Sequence, residues 1–253
     1  MNELARWRNL LGASTRVWAG AQGVTLSDSR WWALSGAPSV EYNVALCHGD
    51  GGAADIEETL EAVAAAKVPA IVMVAGQALA DAQTLVGAQW ICIGATPFMA
   101  LDLEHCGLDA REPDPQVRRL GADELPAARA LLQEAFALPP ELSSVALPDA
   151  SVGADGQALW GLFEGAQLLS CAAFVTVEEA IVGWSVATPA RLQRRGYGAR
   201  LLRAVLEHGA RQGVTLSLVY SSAAGERLYR TLGFRELERW QMWSRPRWVL
   251  ART

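Results

Sequence analysis

The residue types best suited to chemistry lie together late in the chain. From Val186 it reads Val-Ala-Thr188-Pro-Ala-Arg-Leu-Gln193-Arg194-Arg195-Gly196-Tyr197-Gly198-Ala199, and an amphipathic segment with Leu201, Leu202, Val205 and Leu206 follows at once. The glycines let the backbone turn so that several N–H groups face one concavity. The start of a helix adds partial positive charge, and the arginines add charge-assisted hydrogen bonds. That combination suits a phosphate or pyrophosphate. Two familiar phosphate loops are excluded. A Walker loop needs Gly-Lys-Ser/Thr, and Lys67 is the chain's one lysine. A dinucleotide-binding fingerprint needs a third glycine where Leu201 stands.

A second group follows: Leu228-Tyr229-Arg-Thr-Leu232-Gly233-Phe234. Leu228 and Leu232 are one helical turn apart, and Gly233 fits the left-handed position after a helix, with Phe234 packing back. No general base stands out, because neither Ile181–Thr188 nor Thr215–Tyr220 holds a carboxylate. The four cysteines and three histidines are scattered, and neither Cys47-His48 nor His105-Cys106 has the paired spacing of a zinc site. No metal is expected, and the cysteines read as reduced.

The elements that must position these groups follow from hydrophobic spacing. In the second half the pattern predicts strands at Val117–Leu120, Ala158–Phe163, Leu168–Val177 and Ile181–Thr188, an antiparallel meander. Helices are predicted at Glu124–Ala137, Gly198–Gln212 and Ala224–Leu232, with a strand at Thr215–Tyr220 and further strand through Trp243. The first half predicts a helix at Glu3–Leu11, strands at Tyr42–His48, Ala70–Ala75 and Trp90–Ala95, and helices at Ile56–Ala66 and Leu79–Val86. Asp109–Pro115, polar with two prolines, reads as a linker. It divides the chain into domains 1–115 and 116–253. Val68–Ala88 aligns without gaps on Val214–Phe234, which suggests a diverged repeat.

The order of these motifs resembles the GNAT acetyltransferase superfamily: Gln193-x-x-Gly196-x-Gly198 between strand and helix, then a strand, then Leu-Tyr-x-x-Leu-Gly-Phe, all after a meander. The resemblance covers roughly 116–245. It implies an α/β fold of two tandem GNAT-like domains, each a mixed, mainly antiparallel sheet flanked by helices. It implies acetyl-CoA as co-substrate, its pyrophosphate held by Arg194, Arg195, Gly196, Tyr197, Gly198 and Ala199. Its pantetheine arm would run along Ser185, Val186 and Thr188. Tyr229 would protonate the departing thiolate. The acceptor would be a primary amine of a small molecule or peptide, attacking directly in a ternary complex.

In the first half, Asp55 with Glu58 reads as a helix cap with a reciprocal carboxylate. Asp50, Asp55, Glu57 and Glu58 would repel a pyrophosphate, and Gln83 stands where Tyr229 does under the repeat. This half resembles the degenerate partner of tandem GNAT proteins. The alternative function is a non-catalytic sensor that binds CoA or acyl-CoA.

Composition narrows the partners. Of 253 residues, 51% are hydrophobic and 19% charged, enough to bury a core. Residues 1–115 carry 6 basic and 14 acidic side chains, residues 116–253 carry 16 and 13, and neither half has a dense basic stripe. No nucleic-acid partner is expected, which disfavours an aminoacyl transfer enzyme using charged tRNA. No apolar run reaches membrane-spanning length and no secretory h-region is seen, so the expectation is a cytoplasmic protein without a membrane partner. A homodimer is compatible with the sequence.

Overall fold

A computed structural model describes residues 3–106 and 112–250. The chain divides into two compact units, Met1–Phe98 with Leu237–Thr253, and Met99–Glu236. This division differs from the one drawn at residue 115. The expected linker lies partly outside the described residues (109–111), and two long strands carry the chain from one unit into the other. The strand Arg235–Ser244 pairs in the unit it enters, and the strand Ile91–Asp102 has a neighbour in each unit, Arg235–Ser244 in the first and Leu216–Tyr220 in the second, which sequence periodicity does not encode.

In the first unit, α1 (Glu3–Ser14) and the one-turn α2 (Arg16–Ala19) precede β1 (Val24–Leu26), β2 (Arg30–Leu34) and β3 (Asn43–Cys47). Helix α3 (Gly52–Ala66) crosses to β4 (Ile71–Val74), which lies parallel to β3. A 3-10 turn at Gly76–Asp81 and the short α4 (Gln83–Gly87) replace the single helix expected at Leu79–Val86. Then comes β5 (Ile91–Asp102), of which residues 91–98 belong here. The strand order is β1-β2-β3-β4-β11-β5, where β11 is Arg235–Ser244. Strand β11 pairs antiparallel with β4, Trp243 opposite Val72. Its Trp240 is fully buried and stacks on Phe98 with ring centroids 4.6 Å apart. Burial of these tryptophans is what draws the strand into this unit. Helix α1 rests on Trp31 because residue 12 is glycine: a Cβ there would sit 2.6 Å from the indole. The helix α9 (Pro246–Leu250) follows β11.

In the second unit, the end of β5 begins a sheet of order β5-β10-β9-β8-β7-β6. The strands are β6 (Val117–Arg119), β7 (Gln157–Glu164), β8 (Gln167–Val177), β9 (Ala180–Ala187) and β10 (Leu216–Tyr220). Strands β6 to β9 form the expected antiparallel meander, and β10 lies parallel to β9. Helices α5 (Leu125–Phe136) and α6 (Pro140–Ala146) come between β6 and β7. Helix α7 (Tyr197–Arg211) connects β9 to β10, and α8 (Ala223–Thr231) connects β10 to β11. Leu201, Leu202, Val205 and Leu206 of α7 pack on Trp160, Leu162, Ala172 and Phe174 of β7 and β8. That amphipathic match fixes where α7 begins, and so where its first amides point. Each unit is thus a mixed, mostly antiparallel sheet flanked by helices. Among the described residues no helix is long and apolar enough to cross a membrane.

Candidate active site

Two irregularities in the second unit open a cavity. Opposite Ala172 of β8 the partner strand holds two residues, because Cys171 faces Ala187 while Ala173 faces Trp184. Ser185 and Val186 form this bulge, with Ser185 at a left-handed φ of 52°. A bulge interrupts the ladder and turns the backbone amides there away from the neighbouring strand. Beyond it the sheet parts. The parallel β9–β10 ladder runs from Ala180–Leu216 to Val182–Leu218. Gly183, Trp184, Val219 and Tyr220 then line an opening of about 570 Å³.

The loop closes one end of this cavity. Pro189 and the single turn Ala190–Leu192 lead to Arg194 and Gly196, both at positive φ, 63° and 83°. Gly196 caps α7 from the left-handed region, which a side chain there would strain. The first amide of α7 to bond back is Arg200 N, to Gly196 O at 2.9 Å. The amides of Gly196, Tyr197, Gly198 and Ala199 therefore have no intrahelical partner, and the positive end of the helix dipole lies with them. The residues present fit a pyrophosphate. Gln193 steadies the loop by donating from Nε2 to Thr188 O at 2.9 Å, while the hydroxyls of Thr188 and Ser170 pair at 2.9 Å.

Tyr229 reaches the same cavity from α8. Ser222 caps that helix by accepting from Gly225 N at 3.2 Å. Gly233 ends it at φ 94°, Phe234 N donates back to Tyr229 O at 3.1 Å, and the two rings meet edge to face 5.2 Å apart. Tyr229 is 8% exposed, and burial pushes its phenol well above the ordinary tyrosine value. It therefore holds its proton at neutral pH and has one to donate.

Of the residues named from the sequence, Ser185, Val186, Thr188, Arg194, Gly196, Tyr197, Gly198, Ala199 and Tyr229 all line this one cavity. Arg195 is exposed and does not line it. The sequence reading missed Tyr220, Phe136 and Arg227. Tyr220 could have been found as the last residue of a strand parallel to β9, where splaying exposes side chains. Phe136 is half exposed at the end of an amphipathic helix, an unusual place for a large apolar ring. The lining includes no aspartate or glutamate.

The first unit has the same order of elements, β3–α3–β4, but a different end. Its parallel ladder continues through Cys47–Val74, and Ala75 N bonds on to Cys47 O at 3.0 Å. Asp55 is not the cap expected from the sequence. Helix α3 begins four residues earlier than expected and is capped by Gly51, while Asp55 is claimed by Arg30 of β2. Its carboxylate lies over the start of the helix, where a Cβ on Gly51 would collide with it. Arg30 also pairs with Glu58 at 2.5 Å. Gln83, aligned with Tyr229, is exposed at the start of α4.

Residues 155–236 match the family model of the acetyltransferase (GNAT) domain. No protein of curated function matches the sequence. Solved structures extend the likeness in fold to nearly the whole chain. A GCN5-related N-acetyltransferase from Kribbella flavida is 19% identical, with a TM-score of 0.64, over 93% of this chain and 96% of that one. A tandem GNAT protein from the clavulanic acid biosynthesis pathway is 17% identical, with a TM-score of 0.58, over 85% of this chain and 78% of that one. A GCN5-related N-acetyltransferase from Sphaerobacter thermophilus is 13% identical, with a TM-score of 0.58, over 86% and 76%. A bulged strand, a parting sheet and a helix that starts with free amides all fall within one span: residues 155–236, in the second unit, match an acetyltransferase domain of the GNAT superfamily.

Proposed function

We propose that the chain is an acetyl-CoA-dependent N-acetyltransferase working in the cytoplasm, with its active site in the second unit. The observation that carries this is the single cavity shared by the free amides of Gly196–Ala199, the bulge at Ser185–Val186 and the protonated phenol of Tyr229. The amides and Arg194 bind the pyrophosphate. The bulged strand holds the pantetheine arm, and the Val186 N–H polarises the thioester carbonyl. A primary amine of a small molecule or peptide attacks that carbon. The carbon–nitrogen bond forms, the carbon–sulfur bond breaks, and Tyr229 gives its proton to the sulfur as negative charge develops there. The amine loses its extra proton to water, since no carboxylate lines the cavity.

The first unit is read as a non-catalytic partner. Asp55 and Arg30 occupy the place an anion would take, and β3 and β4 stay zipped where a thioester would enter. The absence of a lining carboxylate favours a second reading, a sensor that binds CoA or acyl-CoA without transfer. Free thiol released from acetyl-CoA across a panel of primary amines separates them. Amine-dependent release supports transfer, and tight CoA binding with no release on any amine supports the sensor.

A further inference from the structure

At the opposite end of α7 from the glycine loop, about 20 Å along the helix axis, a second cavity of about 720 Å³ opens. It lies between the last turns of α7, the first residues of β7 and the turn at 152–156. Its floor is apolar: Trp160, Phe174 and Ile181 are all nearly buried. Glycines at 153, 156, 209 and 213 keep its walls thin.

One wall carries an unusual polar group. The Arg119 guanidinium lies over the Trp160 ring, 5.4 Å from its centre. His208 of α7 meets the same indole edge to face at 4.9 Å. Arg119 Nη2 and His208 Nε2 are 3.4 Å apart. Arginine only donates, so His208 Nε2 accepts and its proton sits on Nδ1. Burial lowers the His208 pKa, with Arg119 and Arg211 adding to the effect, so the ring is neutral at pH 7. Arg119 forms no ion pair among the described residues. The acids near this cavity, Asp155 and Glu178, are on exposed turns at its rim.

A guanidinium lying over an indole, with no acid paired to it among the described residues, is a donor set that matches a carboxylate. The apolar floor suits a flat hydrocarbon body. We infer that this cavity binds a small organic carboxylate with a flat apolar body, its carboxylate on Arg119 and its body against the apolar floor beside Trp160 and Phe174. The site is separate from the glycine loop and does not rest on the acetyltransferase reading.

The test uses the full chain, once alone and once with excess coenzyme A, so that binding at the glycine loop is told apart from binding at this cavity. Benzoate and indole-3-acetate are titrated while the His208 Hε1 resonance is followed, with benzyltrimethylammonium as a cation of similar shape. Expected is a saturable shift of His208 with both acids and a higher His208 pKa in the complex, because the carboxylate offsets the Arg119 charge. Arg119→Ala should weaken binding at least about tenfold, and Arg119→Lys should fall between. Arg119 is exposed on an edge strand, so both variants should keep the native circular dichroism. No saturable His208 shift, equal binding by Arg119→Ala, or equal binding of the ammonium probe would each overturn the assignment.

Discussion

Arg8 in α1 and Glu238 in β11 meet as fork and carboxylate although 230 positions separate them. Arg8 Nε and Nη2 lie 2.6 and 2.5 Å from the two carboxylate oxygens, and Trp240 Nε1 donates to the same group at 2.6 Å. The two side chains are only 6% and 15% exposed. Removing one partner leaves the other charge buried and alone. Arg8→Met should therefore cost about 3–5 kcal/mol of stability in urea denaturation. Adding Glu238→Gln, which keeps an acceptor for Trp240, should recover part of that loss. A double variant no more stable than Arg8→Met would show that the pair is not coupled.

Tyr229→Phe removes one hydroxyl from a buried ring and leaves its packing on Phe234. Turnover should fall by about 10²-fold while CoA affinity stays within about twofold. Rapid-quench turnover with calorimetric CoA binding checks both. Unchanged turnover would remove Tyr229 from the chemistry.

A cavity without a lining carboxylate predicts a particular pH profile. The acidic limb of kcat/KM should follow the pKa of the acceptor amine, moving down as weaker bases are supplied. A side-chain base would instead hold that limb at one pH for every amine. A series of amines of graded basicity decides between them.

The contrast between the two helix starts predicts one CoA bound per chain in calorimetry. Gly196→Val should abolish that binding, since it strains the left-handed cap that frees the amides. Asp55→Ala should not create a second site, because β3 and β4 remain paired. Two equal sites in the native chain would contradict the reading of the first unit.

His48 is buried at the end of β3, with Nε2 3.2 Å from Asn9 Oδ1. Burial first, then the Arg8 cation, lowers its pKa from 6.5 to about 4, against smaller opposite effects of Glu238 and Asp55. The folded state thus prefers the neutral ring. Its contribution is fully present above pH 6.5 and is lost progressively as pH falls towards 4, because only the unfolded chain takes up the proton in that window. Tm should drop between pH 7 and 5 by more in the native chain than in His48→Gln. Parallel pH profiles would discount the histidine.

The sequence made the chemistry of the second unit legible because its signals are local. Gln193–Ala199 and Leu228–Phe234 are short runs whose backbone needs are written in glycines and helix spacing. The features that turn those runs into a site are not local. The bulge at Ser185 exists only relative to Cys171 and Ala173 on the neighbouring strand. The parting of β9 from β10 depends on where a parallel ladder stops. In the first unit, the Asp55–Glu58 spacing reads as a cap, yet Arg30, 25 positions earlier, takes both acids. The division of the chain was hidden for the same reason, since nothing near Leu237 announces that its strand pairs with Val72–Val74.

That last strand also bears on the order in which the protein can be made. Residues 99–236 form one uninterrupted stretch and can close their core as soon as they leave the ribosome. The first unit, though translated earlier, lacks the strand that carries Glu238, Trp240 and Trp243 until the second unit has been synthesised. Until then Arg8 has no carboxylate partner and Phe98 no indole to stack on. The nascent chain must therefore carry an unfinished domain past a finished one, and cutting the gene at residue 115 would leave both fragments incomplete, the first without β11 and the second without Met99, Leu101 and Leu103 of its core.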